Sequence, residues 1–470
     1  MDDLWDIICV GAGSAGLPLA IQAAARNAKI LQLEADSRVG GTLYWSSGQI
    51  SAAGSRLQRE HGIADSPDEH YADAQRIAHD TIDPVVLRLF VDNAAGLLDW
   101  LMDLGFKPAP GTPVAGEAHE PYRTRRYQWG TQAAVSILDV LRPVHEALVK
   151  EGKIDLRLGH RMRKLTTDLN GAVNGVEVEA PGGKVMTFRG RNVVLATGGY
   201  ACSPDVWAEL TPQYPLCSYA NPYSRGDGIL AARDLGARVD GSEKYLNTFA
   251  GVLDRPDDPR SGTFLLLSPN KRSVWEIFID AAGKRFMRED HPSIDYRERA
   301  LLRQPGTAMT VLYDEGIRQN APALFVMPPA DVGTRFGNHR NYLVADTLED
   351  LARQLDVSPA TLRETVEAYN QAVRSGNDPA FGRHFLIREI ATAPFYAVRA
   401  QGITVVSPAG VAVDSDLRVL RGDGQPIPNL YAAGEVLGFT RNSGSAFVGG
   451  LSLTPALTFG KLLGERLLRW

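Results

Sequence analysis

The feature that most limits what this chain can fold into comes within its first forty residues. An apolar stretch, Asp6-Ile7-Ile8-Cys9-Val10, runs directly into Gly11-Ala12-Gly13-Ser14-Ala15-Gly16, and an Ala-rich helical segment continues to about residue 26. A strand, a G-x-G-x-x-G turn and a helix in that order form a dinucleotide fingerprint. Gly11 permits the tight turn, Gly13 lets backbone approach a pyrophosphate, and Gly16 lets the helix pack close to the strand. Phosphate then rests on the free N–H groups of residues 12–15 at the helix N-terminus. A second strand, Lys29-Ile30-Leu31-Gln32-Leu33-Glu34, ends in a carboxylate about 20 residues beyond the fingerprint. There it accepts ribose hydroxyls and repels a 2′-phosphate. The expected fold is α/β, with a Rossmann-like dinucleotide-binding domain.

Other small-residue segments fit the same ligand. Gly40-Gly41-Thr42 and Ser46-Ser47-Gly48 follow at once, where backbone would pass beneath a pyrophosphate and a flat ring system. Ala196-Thr197-Gly198-Gly199 ends a further apolar strand. Gly434-Glu435 follows another, so that Glu435 could bond a polyol chain. Gly449-Gly450 precedes the last helix, whose positive N-terminal end at Ser452 and Leu453 could stabilise negative charge on a reduced ring.

At 470 residues the chain is long enough for two to three domains. The βαβ character fades between about 240 and 390, where Pro-rich loops, short strands and a helix pair at 346–375 replace it. We therefore expect a split cofactor domain, 1–240 and 391–470, with an α+β cap domain inserted over 241–390. A net charge of −5 gives no reason to expect nucleic acid as a partner. Cys9, Cys202 and Cys217 are too scattered for a metal site or a disulfide framework. No metal is expected, and a reducing, cytoplasmic setting follows. We expect neither a leader peptide nor a membrane span, since no run of about 18 apolar residues occurs.

Taken in order, these segments resemble the flavoprotein superfamily of fumarate reductases and 3-ketosteroid 1-dehydrogenases. The likeness is carried by the fingerprint with Gly40-Gly41-Thr42, by Gly283-Lys284-Arg285-Phe286, by Pro426-Ile427-Pro428-Asn429-Leu430-Tyr431-Ala432-Ala433-Gly434-Glu435 and by Thr458-Phe459-Gly460. It implies FAD, with hydride moving between flavin N5 and a carbon beside an electron-withdrawing group. No His closely follows Gly40-Gly41-Thr42, so FAD should be held noncovalently. Members acting on fumarate carry His before the final Gly-Glu motif and an Arg just before the last Gly-Gly. This chain has Gly402-Ile403-Thr404-Val405-Val406-Ser407-Pro408, without His, and Phe447. Losing a bidentate carboxylate donor should cost about 2–5 kcal/mol of recognition. The resemblance therefore leans to the ketone-desaturating branch. There a Gly N–H, matched by Gly450, polarises the substrate ketone; the helping Tyr of that branch is Ala446 here.

The first expectation is a dehydrogenase that places a C=C bond next to a ketone of a cyclic substrate, a ketosteroid or an oxocyclohexanecarboxylate. Gly450 would be the donor. The base would be a Tyr: Tyr122 or Tyr127, set among Arg123, Arg125 and Arg126, or Tyr296. Those arginines could favour tyrosinate, hold a substrate carboxylate, or form a solvated loop. Phe447 offers an apolar face to a substrate ring. The second expectation is an ene-reductase acting on another activated alkene, with Arg318, after Tyr313-Asp314, as proton donor. The third is a non-catalytic or electron-transfer flavin subunit. Either catalytic reading needs a small-molecule substrate and an external electron acceptor. No second fingerprint exists to hold a nicotinamide.

Overall fold

The strand Leu4–Val10 carries Ile7, Ile8 and Cys9 with no exposed surface, which suits only the middle of a sheet covered on both faces. It pairs in parallel with Ile30–Leu33 on one side and Val185–Leu195 on the other. Parallel pairing continues outward to Ile154–Arg157 and to Pro426–Ala432, and Arg418–Leu420 closes one edge antiparallel. Arg161–Thr167 and Val173–Glu179 extend the sheet along the first half of Val185–Leu195, giving eight strands. The fingerprint helix Gly16–Ala24 packs on the helix Leu453–Arg466. A Cβ on Gly460 would stand 2.0 Å from the Ala15 carbonyl oxygen, and one on Gly464 would stand 2.4 Å from that of Leu19. The two helices touch backbone to backbone because glycine allows it.

This computed structural model describes residues 4–255 and 257–467. The chain forms two compact units. One comprises Met1–Thr211, Ala220–Tyr245 and Val406–Trp470; the other comprises Pro212–Tyr219 and Leu246–Val405. The first is the Rossmann-like α/β unit. Two of its helices are Pro67–Ile77 and Pro84–Asp103. The break falls where Asp83 caps the second helix, accepting the N–H groups of Val85 and Val86, and Pro84 takes the first turn. The loop 107–130 stays mostly irregular, with Tyr127–Gln128 paired to Ile50–Ser51.

The second unit is α+β and lies between segments of the first along the chain. Its central strand Phe395–Ile403 runs antiparallel to Thr248–Arg255, Ala308–Asp314 and Tyr342–Ala345. Asp258–Phe264 and Ile277–Ile279 complete the sheet. The expected helix pair is Leu348–Leu355 and Pro359–Ser375, the second capped by the Ser358 hydroxyl. Arg285 is anchored by Glu289 at 2.7 Å and Asp378 at 2.8 Å, so these charges brace the unit. Among the described residues no helix is long and apolar enough to cross a membrane. All three cysteines are buried free thiols; burial pushes Cys9 and Cys217 up to about 12.

Candidate active site

The turn after Leu4–Val10 is shaped by close approach. A Cβ on Gly11, at φ +115°, would lie 2.2 Å from the Ala196 carbonyl oxygen, and one on Gly16 would lie 2.0 Å from that of Gly11. Gly13 differs: its Cβ would meet only the Gly41 Cα, at 3.7 Å. That space is a backbone cradle open to a ligand. Gly11, Gly13, Ser14, Ala15, Glu34, Gly41, Thr42, Ala196, Thr197, Gly198, Gly434 and Glu435 line one groove. Ala12 sits buried behind it, and its N–H donates to Glu34 Oε2 at 2.7 Å. Burial raises the Glu34 carboxyl above its ordinary range. Among the described residues the helix N-terminus at Ala15 has no side-chain cap, and the buried Thr197 hydroxyl has no hydrogen-bond partner. Free N–H groups, an unpaired hydroxyl and a glycine cradle fit the ADP half of FAD.

Two residues that sequence reading passed over brace this turn. Gln32 Nε2 donates to the carbonyls of Gly16 at 3.0 Å and Gly11 at 3.3 Å, and its Oε1 lies 2.6 Å from His145 Nε2. Several expected cofactor residues stand outside the groove lining. The Gly40 N–H is bonded to Ala12 O at 2.8 Å. Gly48 packs on the backbone of Ala133 and Ala134, and Ser47 is exposed. Ser452 is exposed at the start of the last helix, which begins at the buried Leu453. Glu435 Oε1 accepts both the N–H and the hydroxyl of Ser407, and burial raises its pKa.

Around Gly449 and Gly450 the chain builds a tight knot. Tyr122 Oη donates to the Gly449 carbonyl at 2.5 Å and lies 3.4 Å from Ser51 Oγ. Ser51 Oγ in turn lies 3.5 Å from His70 Nε2. The Thr454 hydroxyl donates to the Gly450 carbonyl at 2.7 Å and accepts the Ser51 N–H at 3.1 Å. Gly450 sits at φ +83°, and its Cβ would fall 2.6 Å from Ser51 N, so glycine is required. Tyr127 lays its ring on Gly449, whose Cβ would be 2.9 Å from Cε2. Ser51 and His70 carry no motif; tertiary contact alone brings them here.

Arg126 lies 5.0 Å from the Tyr122 ring and its charge lowers that phenol's pKa, but burial outweighs it. Arg126 is 1% exposed, and its fork binds Asp65 at 2.7 and 2.8 Å and Asp73 at 3.0 Å. Its charge is spent on two buried carboxylates, which leaves it no edge for a substrate. Arg123 and Arg125 are exposed. Burial dominates at Tyr122 and Tyr127 and holds both as phenols, with pKa values far above the ordinary range. Phe447, half-buried, stacks on His119 at 4.0 Å.

In the second unit, Tyr296 stacks on His291 at 4.1 Å, and its oxygen accepts the Arg288 N–H at 3.4 Å. Arg318 is 51% exposed, holds Glu315 through two 2.6 Å bonds, and rims a cavity of about 450 Å³ walled by Tyr313, Tyr396, Phe336 and Leu324.

The fold and the groove have counterparts among known proteins. A fumarate reductase (cytochrome) of Shewanella frigidimarina is 27% identical over 464 residues, covering 98% of this chain and 77% of that protein. The open conformation of a flavocytochrome c3 fumarate reductase superposes with a TM-score of 0.75 at 26% identity, over 99% of this chain and 78% of the other. A 3-ketosteroid delta1-dehydrogenase from Sterolibacterium denitrificans has the same fold, with a TM-score of 0.74 at 22% identity and 99% of both chains covered. The FAD binding domain family matches residues 6–448. A match over nearly the whole chain settles its membership: the protein belongs to the FAD binding domain family and is an FAD-dependent oxidoreductase.

Proposed function

We propose that this protein is a dehydrogenase that introduces a C=C bond beside the ketone of a cyclic substrate. The observation that carries this reading is Phe447, stacked on the His119 ring, two residues before a braced Gly449–Gly450 peptide. A carboxylate-clamping Arg would stand at Phe447 in a dicarboxylate enzyme; here a ring can lie against a ring. Bound FAD supplies the two-electron acceptor for a hydride.

The chain's own residues do the rest. Gly450 N–H donates to the ketone oxygen and stabilises the enolate-like state, an effect typically worth ~3–4 kcal/mol for one such donor. Phe447 and His119 orient the ring and exclude water. Tyr122 has its one proton committed to Gly449, and Tyr127 is buried. Tyr296 is half-buried, and a backbone N–H already points at its oxygen. Of the three tyrosines it is the one left to take the α-proton, on Oη of its phenolate form. The electrons leave to an external acceptor.

A second reading is favoured by the fumarate reductases among the similar proteins. In the reverse direction the protein would reduce an activated alkene other than a dicarboxylate, with Arg318 in place of Tyr296 donating the proton. Anaerobic titration of the yellow protein separates the two. A ring ketone should bleach the flavin and yield an enone. If no ring ketone bleaches it, while an activated alkene reoxidises the reduced protein, the reductase reading replaces the first.

A further inference from the structure

The Tyr122 hydroxyl is buried and holds a peptide. Its oxygen lies 2.5 Å from the Gly449 carbonyl, the C=O of the same peptide group whose N–H belongs to Gly450. A peptide unit is planar and trans, so its C=O and N–H point in opposite directions. Pinning one end fixes the direction of the other. No acceptor among the described residues takes the Gly450 N–H.

We propose that Tyr122 is a positioning residue: through the Gly449 carbonyl it fixes and polarises the Gly449–Gly450 peptide, aiming Gly450 N–H as the donor to the substrate's oxygen. This rests on the desaturase reading of Gly450 given above. Donation into an amide carbonyl draws electrons from nitrogen, and linked hydrogen bonds strengthen one another. The rest of the knot suits that task. A phenol has one proton, so with Gly449 taking it, the Ser51 hydroxyl at 3.4 Å can only donate to Tyr122 Oη or turn to His70 Nε2 at 3.5 Å. Edge-on rings at 5.3 Å and 5.4 Å set His70 between Phe90 and Tyr122. Burial, with Arg126 and Arg88 adding to it, keeps that imidazole neutral, so no second charge competes for the Gly449 carbonyl. On the other side, Thr454 secures the Gly450 carbonyl at 2.7 Å. The donor peptide is thus pinned through its carbonyl by Tyr122, and the peptide that follows it is held by Thr454.

The test uses the FAD-loaded full chain with Tyr122→Phe and with 3-fluorotyrosine placed at position 122. Three quantities are read: the ring-ketone kcat/KM across pH, the affinity of the oxidised protein for phenol as a planar enolate mimic, and Tm with flavin content. Tyr122→Phe should keep its flavin and Tm. It should lose about 10–100-fold in kcat and bind phenol about 10-fold more weakly, the scale of supporting contacts behind a reacting group. The fluorinated variant, a better donor, should match or exceed wild type without moving the acidic limb of the pH profile. Unchanged kcat and phenol affinity in Tyr122→Phe would overturn the proposal. So would an acidic limb displaced to lower pH by fluorine, which would make Tyr122 the base. Should Tyr122→Phe fail to fold, the fluorinated variant decides alone. Wild type that neither desaturates a ring ketone nor binds phenol ends the desaturase reading itself, before any variant is compared.

Discussion

Glu435 and Ser407 are joined twice: one carboxylate oxygen accepts the Ser407 backbone N–H at 2.8 Å and its hydroxyl at 2.9 Å. The same hydroxyl oxygen accepts the N–H groups of Tyr200 and Ala201 at 2.6 and 3.0 Å. The acid thus ties the segment after Gly199 to the one that returns at Ser407. Burial raises its pKa above the ordinary 4.5. A raised carboxyl favours the fold below its unfolded pKa and loses that contribution as pH rises through the folded value. Glu435→Gln should therefore gain Tm relative to wild type as pH climbs from about 4.5, with the difference levelling off above the folded pKa. A Tm difference that stays constant across pH would count against this account.

The fingerprint glycines should separate by what their missing side chains leave room for. Gly13→Ala has only Gly41 Cα nearby, at 3.7 Å. Its apoprotein should melt like the wild-type apoprotein yet retain little flavin at 450 nm absorbance, about 10-fold or more below wild type in affinity. Gly16→Ala drives a Cβ to 2.0 Å from backbone, so that chain should lose Tm even without FAD. Equal apoprotein Tm values for the two variants would remove the distinction.

Arg126 should matter for stability far more than its loop neighbours. Replacing it by Ala leaves the buried Asp65 carboxylate without its guanidinium and Asp73 with Arg76 alone, a loss of about 3–5 kcal/mol. Arg123→Ala and Arg125→Ala remove exposed side chains and should fall within about 0.5 kcal/mol of wild type. Denaturant unfolding of the three apoproteins checks the ranking, and a destabilised Arg125→Ala would break it.

Phe447→Ala removes the partner of the His119 ring. Aromatic pairs of this kind are worth about 0.5–1.5 kcal/mol beyond the area they bury. We expect roughly a 10-fold fall in ring-ketone kcat/KM, expressed mainly in KM, with flavin content unchanged. A loss of bound flavin instead would place Phe447 in the cofactor site.

What was legible in the sequence depended on whether partners were close along the chain. Gly11, Gly13, Gly16 and Glu34 sit within one βαβ unit, so their spacing carried the meaning. The helix pair expected over 346–375 was legible for the same reason. Arg126 was misjudged because Asp65 and Asp73 lie on other segments, and a run of three arginines looks free until those carboxylates arrive. Ser51, His70 and Gln32 had no local pattern at all. The tyrosines were visible as residue types, but whether Tyr122 meets solvent, substrate or a carbonyl is decided by the packing of loop 107–130 against Gly449.

The contact of Gly460 and Gly464 with the fingerprint helix has a consequence for biosynthesis. The first helix to leave the ribosome presents a face shaped for a partner translated long after it. Until Leu453–Arg466 has emerged, the nascent chain carries the sequence for a nucleotide site without the wall that supports it. Flavin capture is therefore expected to be a late event, and a ribosome stalled before that segment should display an apolar helix face to chaperones rather than a finished holoprotein.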